Sequence, residues 1–245
     1  MTAIILAAGV GKRLHEVSGG RPKCLLEIGG RTLLGRLVGA LTEAGVHDVV
    51  VVVGFGGDTV RATLGGGPPG VRLRYVDNPR YREGAILSLW AAREALAGPV
   101  LVMDADVLCP PAMVACLVRS PHPNCFLLDA SVANTGEEQM LLVRAGRVLD
   151  IVRGGAPGYE LQGESVGFLK LSAQAATLLR DLLGARVAAG HTGIEHEEVY
   201  PELLARTDVR YERVDGLPWT EIDFPADVVH AEQVVLPRFA GLQAR

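Results

Sequence analysis

Lysine is nearly missing from this chain of 245 residues: it occurs only at positions 12, 23 and 170, and apart from six histidines every other basic side chain is arginine. Two of the three lysines therefore share one loop region near the start, a placement that solubility does not require. Aromatic residues are also few, 5% of the chain, and none is interleaved with a basic run. Together with a net charge of −4 and an isoelectric point near 5.9, this excludes a nucleic-acid surface, which needs a basic face. The four cysteines (Cys24, Cys109, Cys116 and Cys125) lack the paired spacing of a zinc site or a redox motif and read as free thiols of a reducing compartment. No apolar run approaches the ~20 residues of a membrane span. The stretch Ile4–Ala8 has no basic residue before it and is too short for a signal peptide. The expectation is a cytoplasmic protein without membrane attachment.

What is present is apolar. Hydrophobic residues make up 49% of the chain and the mean hydropathy is +0.25, ample for a core. The length suits one large α/β domain, a class that reaches about 250 residues without splitting. Ile4–Ala8 reads as a first strand. Thr32–Ala44 places Leu33, Leu34, Leu37, Val38 and Leu41 on one helical face, with Gly45 as the stop. Five valines, Val49–Val53, mark a parallel strand buried on both faces. A helix (Thr59–Leu64), a strand (Val71–Val76), a helix (Ala85–Leu96) and a strand (Val100–Met103) follow. This alternation implies right-handed crossovers and a single-domain, Rossmann-like α/β fold, a mostly parallel sheet with helices on both faces. In the second half, Met140–Val143 and Val148–Val152 read as a hairpin and Glu164–Leu171 as a strand. Ala173–Ala188 and Glu195–Ala205 read as helices, giving a small β lobe built onto the same sheet. The domain spans residues 1–237, and Arg238–Arg245 read as a loose tail.

The first strand breaks at Ala7-Ala8-Gly9 into a loop carrying Gly11, Lys12 and Arg13, with Arg21-Pro22-Lys23 shortly after. Gly9 and Gly11 let backbone amides approach an anion closely, and the cations neutralise it, which points to a phosphate chain. A P-loop is excluded, because Leu6 stands at its first glycine and Arg13 where the magnesium hydroxyl belongs. A dinucleotide fingerprint fails at Leu14, where its third glycine is due. The strand ending at Met103 runs into Asp104-Ala105-Asp106, at the carboxyl end where open α/β sheets bind ligands. A second acidic cluster, Glu221, Asp223 and Asp227, lies far downstream. Carboxylates are hard oxygen ligands that suit Mg²⁺ rather than zinc.

The ordered run of Leu6, Ala7, Ala8, Gly9, Gly11, Arg13, Leu14, Pro22 and Lys23 resembles the opening of the sugar-phosphate nucleotidyltransferase superfamily, and Glu221-Ile222-Asp223-Phe224-Pro225-Ala226-Asp227 resembles its closing stretch. The resemblance implies the nucleotide-diphospho-sugar transferase fold with an acceptor-binding β lobe. It assigns Lys23 and Arg13 to catalysis and the nucleotide to Leu6, Ala7, Ala8, Gly9, Gly11 and Lys12. Gly84 and Ser88 would recognise the nucleoside, and Asp104 would face its sugar. Asp106 and Asp223 would hold Mg²⁺, with Pro225 opening the last helix and Asp227 structural. The chain looks most like the compact cytidylyltransferases that activate phosphocholine, 2-aminoethylphosphonate or inositol phosphate, although Gly84-Ala85 replace the asparagine expected after Tyr81. The implied partners are CTP (or another NTP) and a small phosphate or phosphonate acceptor, with a homodimer left open. The alternatives are a sugar-1-phosphate nucleotidyltransferase using UTP, GTP or dTTP, or a catalytically dead nucleotide sensor. The sensor would be expected to lose Lys23, Asp106 or Asp223, and all three are present. The reaction needs no general base, because a phosphate monoester is already anionic at neutral pH.

Three further readings complete the sequence. Glu137, Glu138, Glu164, Glu195, Glu197 and Glu198, interleaved with Tyr159, Phe168, Tyr200 and Trp219, suggest an acceptor that carries a cation. His191 and His196 among Glu195, Glu197 and Glu198 read as a solvated helix start. Lys170 reads as a strand-face cation.

Overall fold

The computed structural model describes residues 1–242. Nine strands form one sheet: β1 (Thr2–Ala7), β2 (Asp48–Val53), β3 (Arg72–Asp77), β4 (Val100–Asp104), β5 (Cys125–Asp129), β6 (Gln139–Arg144), β7 (Arg147–Arg153), β8 (Leu161–Leu171) and β9 (Arg210–Arg213). The main path runs β7-β6-β8-β4-β1-β2-β3, with β5 and β9 attached beside β8. The first four strands pair in parallel, as the β-α alternation of the first half requires. Burial alternates across them: Ile4, Val50 and Val52 pack into one core, and Ala3, Ile5, Val49, Val51 and Val53 into the core on the opposite face. No helix among the described residues is long and apolar enough to cross a membrane.

Helices cover both faces. α1 (Leu33–Glu43) starts at Thr32, whose hydroxyl accepts from the Gly35 amide, and buries the apolar face legible in its sequence. α2 (Gly57–Leu64) and α3 (Ile86–Ala91) follow. The single helix expected over Ala85–Leu96 breaks at Ala92, where ψ rises to 12° and a 3₁₀ stretch, Arg93–Ala97, takes over. α4 (Pro111–Arg119) ends under Lys170, a β8 residue whose ammonium donates to the carbonyls of Val118 (3.2 Å) and Ser120 (2.8 Å). Lys170 is therefore a buried helix cap, as a cation at a helix C-terminus should be. α5 (Ala173–Ala188) and α6 (Tyr200–Arg206) complete the second half, and α7 (Pro225–His230) opens on Pro225.

The site is shaped by one long strand. β8 runs antiparallel to β6 through Leu161–Glu164, then pairs with β4 through Phe168–Leu171. The handover at Ser165–Gly167 leaves a cleft between the carboxyl end of β4 and the β6–β7 hairpin. A third small core (Leu14, Leu26, Ile28, Leu33, Leu108, Ile222, Ala231 and Val235) fastens the loop after β1 to the chain's last elements. The tail is less loose than its composition suggests. Leu236–Leu242 form a 3₁₀ segment whose Phe239 packs on this small core; residues 243–245 lie outside the described residues.

Candidate active site

The cleft is a cavity of about 770 Å³ lined by residues 6–13, Lys23, Gly84, Ser88, Asp104, Asp106, Glu221 and Asp223 among others. The structure thus brings every sequence-predicted site residue to one place. β1 delivers the glycine loop. Gly11 sits at φ 60°, in the left-handed region, and a Cβ there would come within 2.9 Å of the Lys23 Cβ, so glycine is required for the loop to pass Lys23. A Cβ at Gly9 would meet nothing within 4 Å, leaving open space above the backbone. Among the described residues the amides of 9–11 donate no hydrogen bond to the protein, which is the condition of an anion cradle. Lys12 is exposed beside it, and the Arg13 guanidinium lies 4.7 Å over the exposed Phe224 ring at the pocket mouth.

Lys23 occupies the centre. Its Nζ is 2.8 Å from Asp106 Oδ2 and 2.5 Å from Asp223 Oδ1, joining two residues 117 positions apart. Burial by itself would push the ammonium pKa down, but the two carboxylates outweigh it and hold the group above the ordinary lysine value. The second acid is positioned by pairing of Thr220–Glu221 with Val107–Leu108 and by the Ile222 amide donating to the Asp106 carbonyl at 3.1 Å. Asp227 Oδ2 accepts from the amides of Asp223 (2.8 Å) and Phe224 (2.7 Å), so its role is the structural one expected of it.

The donor set fits a hard divalent cation. Oxygens of Asp106, Glu221 and Asp223 lie within 4.8 Å of one another, and Asp106 Oδ1 is buried without a hydrogen-bond partner. Glu221 is a member that the sequence reading left out, although it stands two residues before Asp223. Enclosure of its carboxyl, then the charges of Asp106 and Asp223, push it up to about 8.

A Cβ on Gly84 would meet the carbonyls of Thr192 and Ile194 at 2.5 and 2.7 Å, so its lack of a side chain lets that loop cross it. The Ser88 hydroxyl accepts from Asn78 Nδ2 at 3.0 Å inside the pocket wall.

The crossing loop brings the largest surprise. Glu195-His196-Glu197 is the expected helix start, with exposed Glu195 capping a 3₁₀ turn at His196–Val199, but it is not simply solvated: all three residues line the pocket, His196 is only 5% exposed, and one ligand atom each of His196, Glu197 and Asp104 lie within 4.8 Å of one another. No local pattern announces this, because the contact is made by the fold. Burial, then the charges of Glu197, Asp106 and Glu221, push the Asp104 carboxyl well up. His191 is exposed and stays apart. Of the suggested acceptor acids, Glu137, Glu138, Glu164, Glu195 and Glu197 do line the pocket, and burial pushes Glu164 up to about 7. The suggested aromatics do not line it. Phe168 and Tyr200 are core, Trp219 donates to Asp129 Oδ2, and Tyr159 stacks with Arg144.

Comparison with known proteins places the chain among nucleotidyltransferases. The chain is similar to a "Bifunctional IPC transferase and DIPP synthase" of Rubrobacter xylanophilus, with 32% identity over 96% of this chain and 52% of that protein, and so spans about half its length. It is similar over 92% of its length, at 28% identity, to a 2-aminoethylphosphonate cytidylyltransferase of Lancefieldella rimae, covering 89% of it. The structure resembles that of a CTP:phosphocholine cytidylyltransferase from Streptococcus pneumoniae, with a TM-score of 0.73 and 22% identity over 95% of this chain and 98% of that one. The model of the MobA-like NTP transferase domain matches residues 3–190, well over half of the chain, and the chain belongs to that family.

Proposed function

We propose that this chain transfers a nucleotidyl group from an NTP, with CTP preferred, to a small phosphate or phosphonate monoester, releasing pyrophosphate. The observation that carries the reading is Lys23 bridging Asp106 and Asp223 at the foot of an unpaired-amide glycine loop. An acceptor oxygen attacks the α-phosphorus, and the bond from that phosphorus to the bridging oxygen breaks with its electron pair leaving on pyrophosphate. The obstacle is repulsion between two anions, so the protein's work is positioning and neutralisation. The loop amides and Arg13 bind the β- and γ-phosphates, and Lys23 meets the charge gathering at the α-phosphate. Mg²⁺ held by Asp106, Glu221 and Asp223 would supply further charge neutralisation there. The preference for CTP rests on the cytidylyltransferases among the similar proteins.

The test is pyrophosphate release from four NTPs against a panel of phosphate and phosphonate acceptors, with Mg²⁺ and with excess chelator. Turnover with CTP and a monoester acceptor, abolished by chelator, is expected. Faster turnover with UTP and glucose 1-phosphate would transfer the assignment to sugar activation, and full activity in chelator would remove the metal.

A further inference from the structure

Two cations have a claim on the same oxygens. The Lys23 ammonium takes Asp106 Oδ2 at 2.8 Å and Asp223 Oδ1 at 2.5 Å. Asp106 and Asp223 are also two of the three acids whose oxygens converge within 4.8 Å as a donor set for a divalent cation. The Lys23 side chain is only 13% exposed, so water screens its charge little. Asp106 Oδ1 is buried without a partner, which leaves an ion one open oxygen on a carboxylate whose charge the ammonium already draws. Lysine and metal therefore oppose each other here, by competition for ligands and by like charge.

The lysine is built to move at its head alone. Lys23 opens a 3₁₀ turn, Lys23–Leu25, whose Cys24 and Leu25 are buried. Before it, Pro22 packs on Gly56, where a Cβ would come within 2.6 Å of the Pro22 Cγ. The backbone is thus pinned on both sides. The stem runs beside the glycine loop: a Cβ at Gly11 would lie 2.9, 3.7 and 3.6 Å from Lys23 Cβ, Cγ and Cδ. A four-carbon stem with a compact ammonium can turn from the acids to an anion on that loop without shifting its Cα. Once it turns, both aspartates are released to a second cation.

We propose that Lys23 stands in for the metal: its ammonium holds Asp106 and Asp223 until an α-phosphate draws it away, so the nucleotide admits the divalent cation rather than following it. The proposal rests on the nucleotidyl-transfer reading for the phosphate that draws the ammonium off, but not for the competition between ammonium and metal. The competition is read by electron paramagnetic resonance of free Mn²⁺ with no nucleotide present. Lys23→Gln should bind Mn²⁺ about 5–150-fold more tightly than the unaltered protein, the usual range of coupling between two ligands. Arg82→Gln removes an exposed cation of the same cavity that touches neither aspartate, and should leave the constant nearly unchanged. The release is read from ¹⁵N signals of the lysine ammoniums in excess chelator. With only three lysines, Lys12→Arg removes one signal and Lys170, bonded to the Val118 and Ser120 carbonyls, serves as the reference. CTP and CMP should move the Lys23 signal, and cytidine, which has no phosphate, should not. Equal Mn²⁺ constants in Lys23→Gln and the unaltered protein would overturn the competition. If Lys23→Gln fails to fold, Mg²⁺ titration of the unaltered protein decides: binding that leaves the Lys23 signal in place would overturn it too. CTP bound in calorimetry with that signal unmoved would overturn the release. If neither CTP nor CMP binds, the transfer reading fails while the Mn²⁺ constants still decide the competition.

Discussion

Lys23 is shared between two acids that a divalent cation would also claim, so its charge is held in place before any nucleotide arrives. Lys23→Ala should lower kcat by about 10²–10³-fold, the scale of one lost transition-state contact, with a much smaller change in NTP affinity. Wild-type turnover in steady-state kinetics would remove the assignment. Arg13→Ala should act the other way, raising the NTP dissociation constant with little effect on kcat, because the β- and γ-phosphates are bound before reaction. At Gly11 the backbone itself is at stake. Alanine there adopts left-handed φ at a cost of about 1–2 kcal/mol and pushes on Lys23, so both the thermal midpoint and kcat should fall. These residues were legible in the sequence because their chemistry is local: a glycine loop with cations, acids after a strand, an acidic closing run. Glu197 and His196 were not, since they reach Asp104 only through a loop crossing at Gly84 that no spacing encodes.

Elements follow the same division. The apolar parallel strands and α1 were readable because each buries a whole face. β5 went unread, being four apolar residues and an aspartate between Asn124 and Ala130 with no periodicity to separate strand from turn. β9, Arg-Tyr-Glu-Arg, pairs in parallel with β5, is mostly half-buried and shows no alternation of apolar residues. The segment from Thr220 to α7 is the element on which the site depends most, and Asp227 is its clasp. Asp227→Ala should cost about 1 kcal/mol, as lost helix caps do. That would lower the thermal midpoint by about 2–4 °C for a domain of this size. It should also reduce kcat through a less ordered Asp223, whereas unchanged kinetics would show Asp223 held by its strand pairing alone.

At the scale of the whole molecule, acids gathered in one cavity make stability depend on pH. Glu221 and Glu164 are pushed up to about 8 and about 7, above the ~4.3 of a free glutamate, so the folded state holds protons that the unfolded chain releases. Stability should therefore be greatest below about pH 5 with respect to these groups and decline as pH rises toward 8. A thermal midpoint that falls from pH 6 to pH 8 without metal, and falls less in millimolar Mg²⁺, is the expected result of differential scanning fluorimetry. The small core that ties Leu14 and Ile28 to Ile222 and Val235 bears on timing as well as geometry. A ribosome-bound chain already carries the glycine loop, Lys23 and Asp106, yet Lys23 has only half of its counter-charge until residues 221–235 have been made and docked. Until that docking the site lacks Glu221 and Asp223, so a nucleotide, a metal and an acceptor would meet only part of their binding groups.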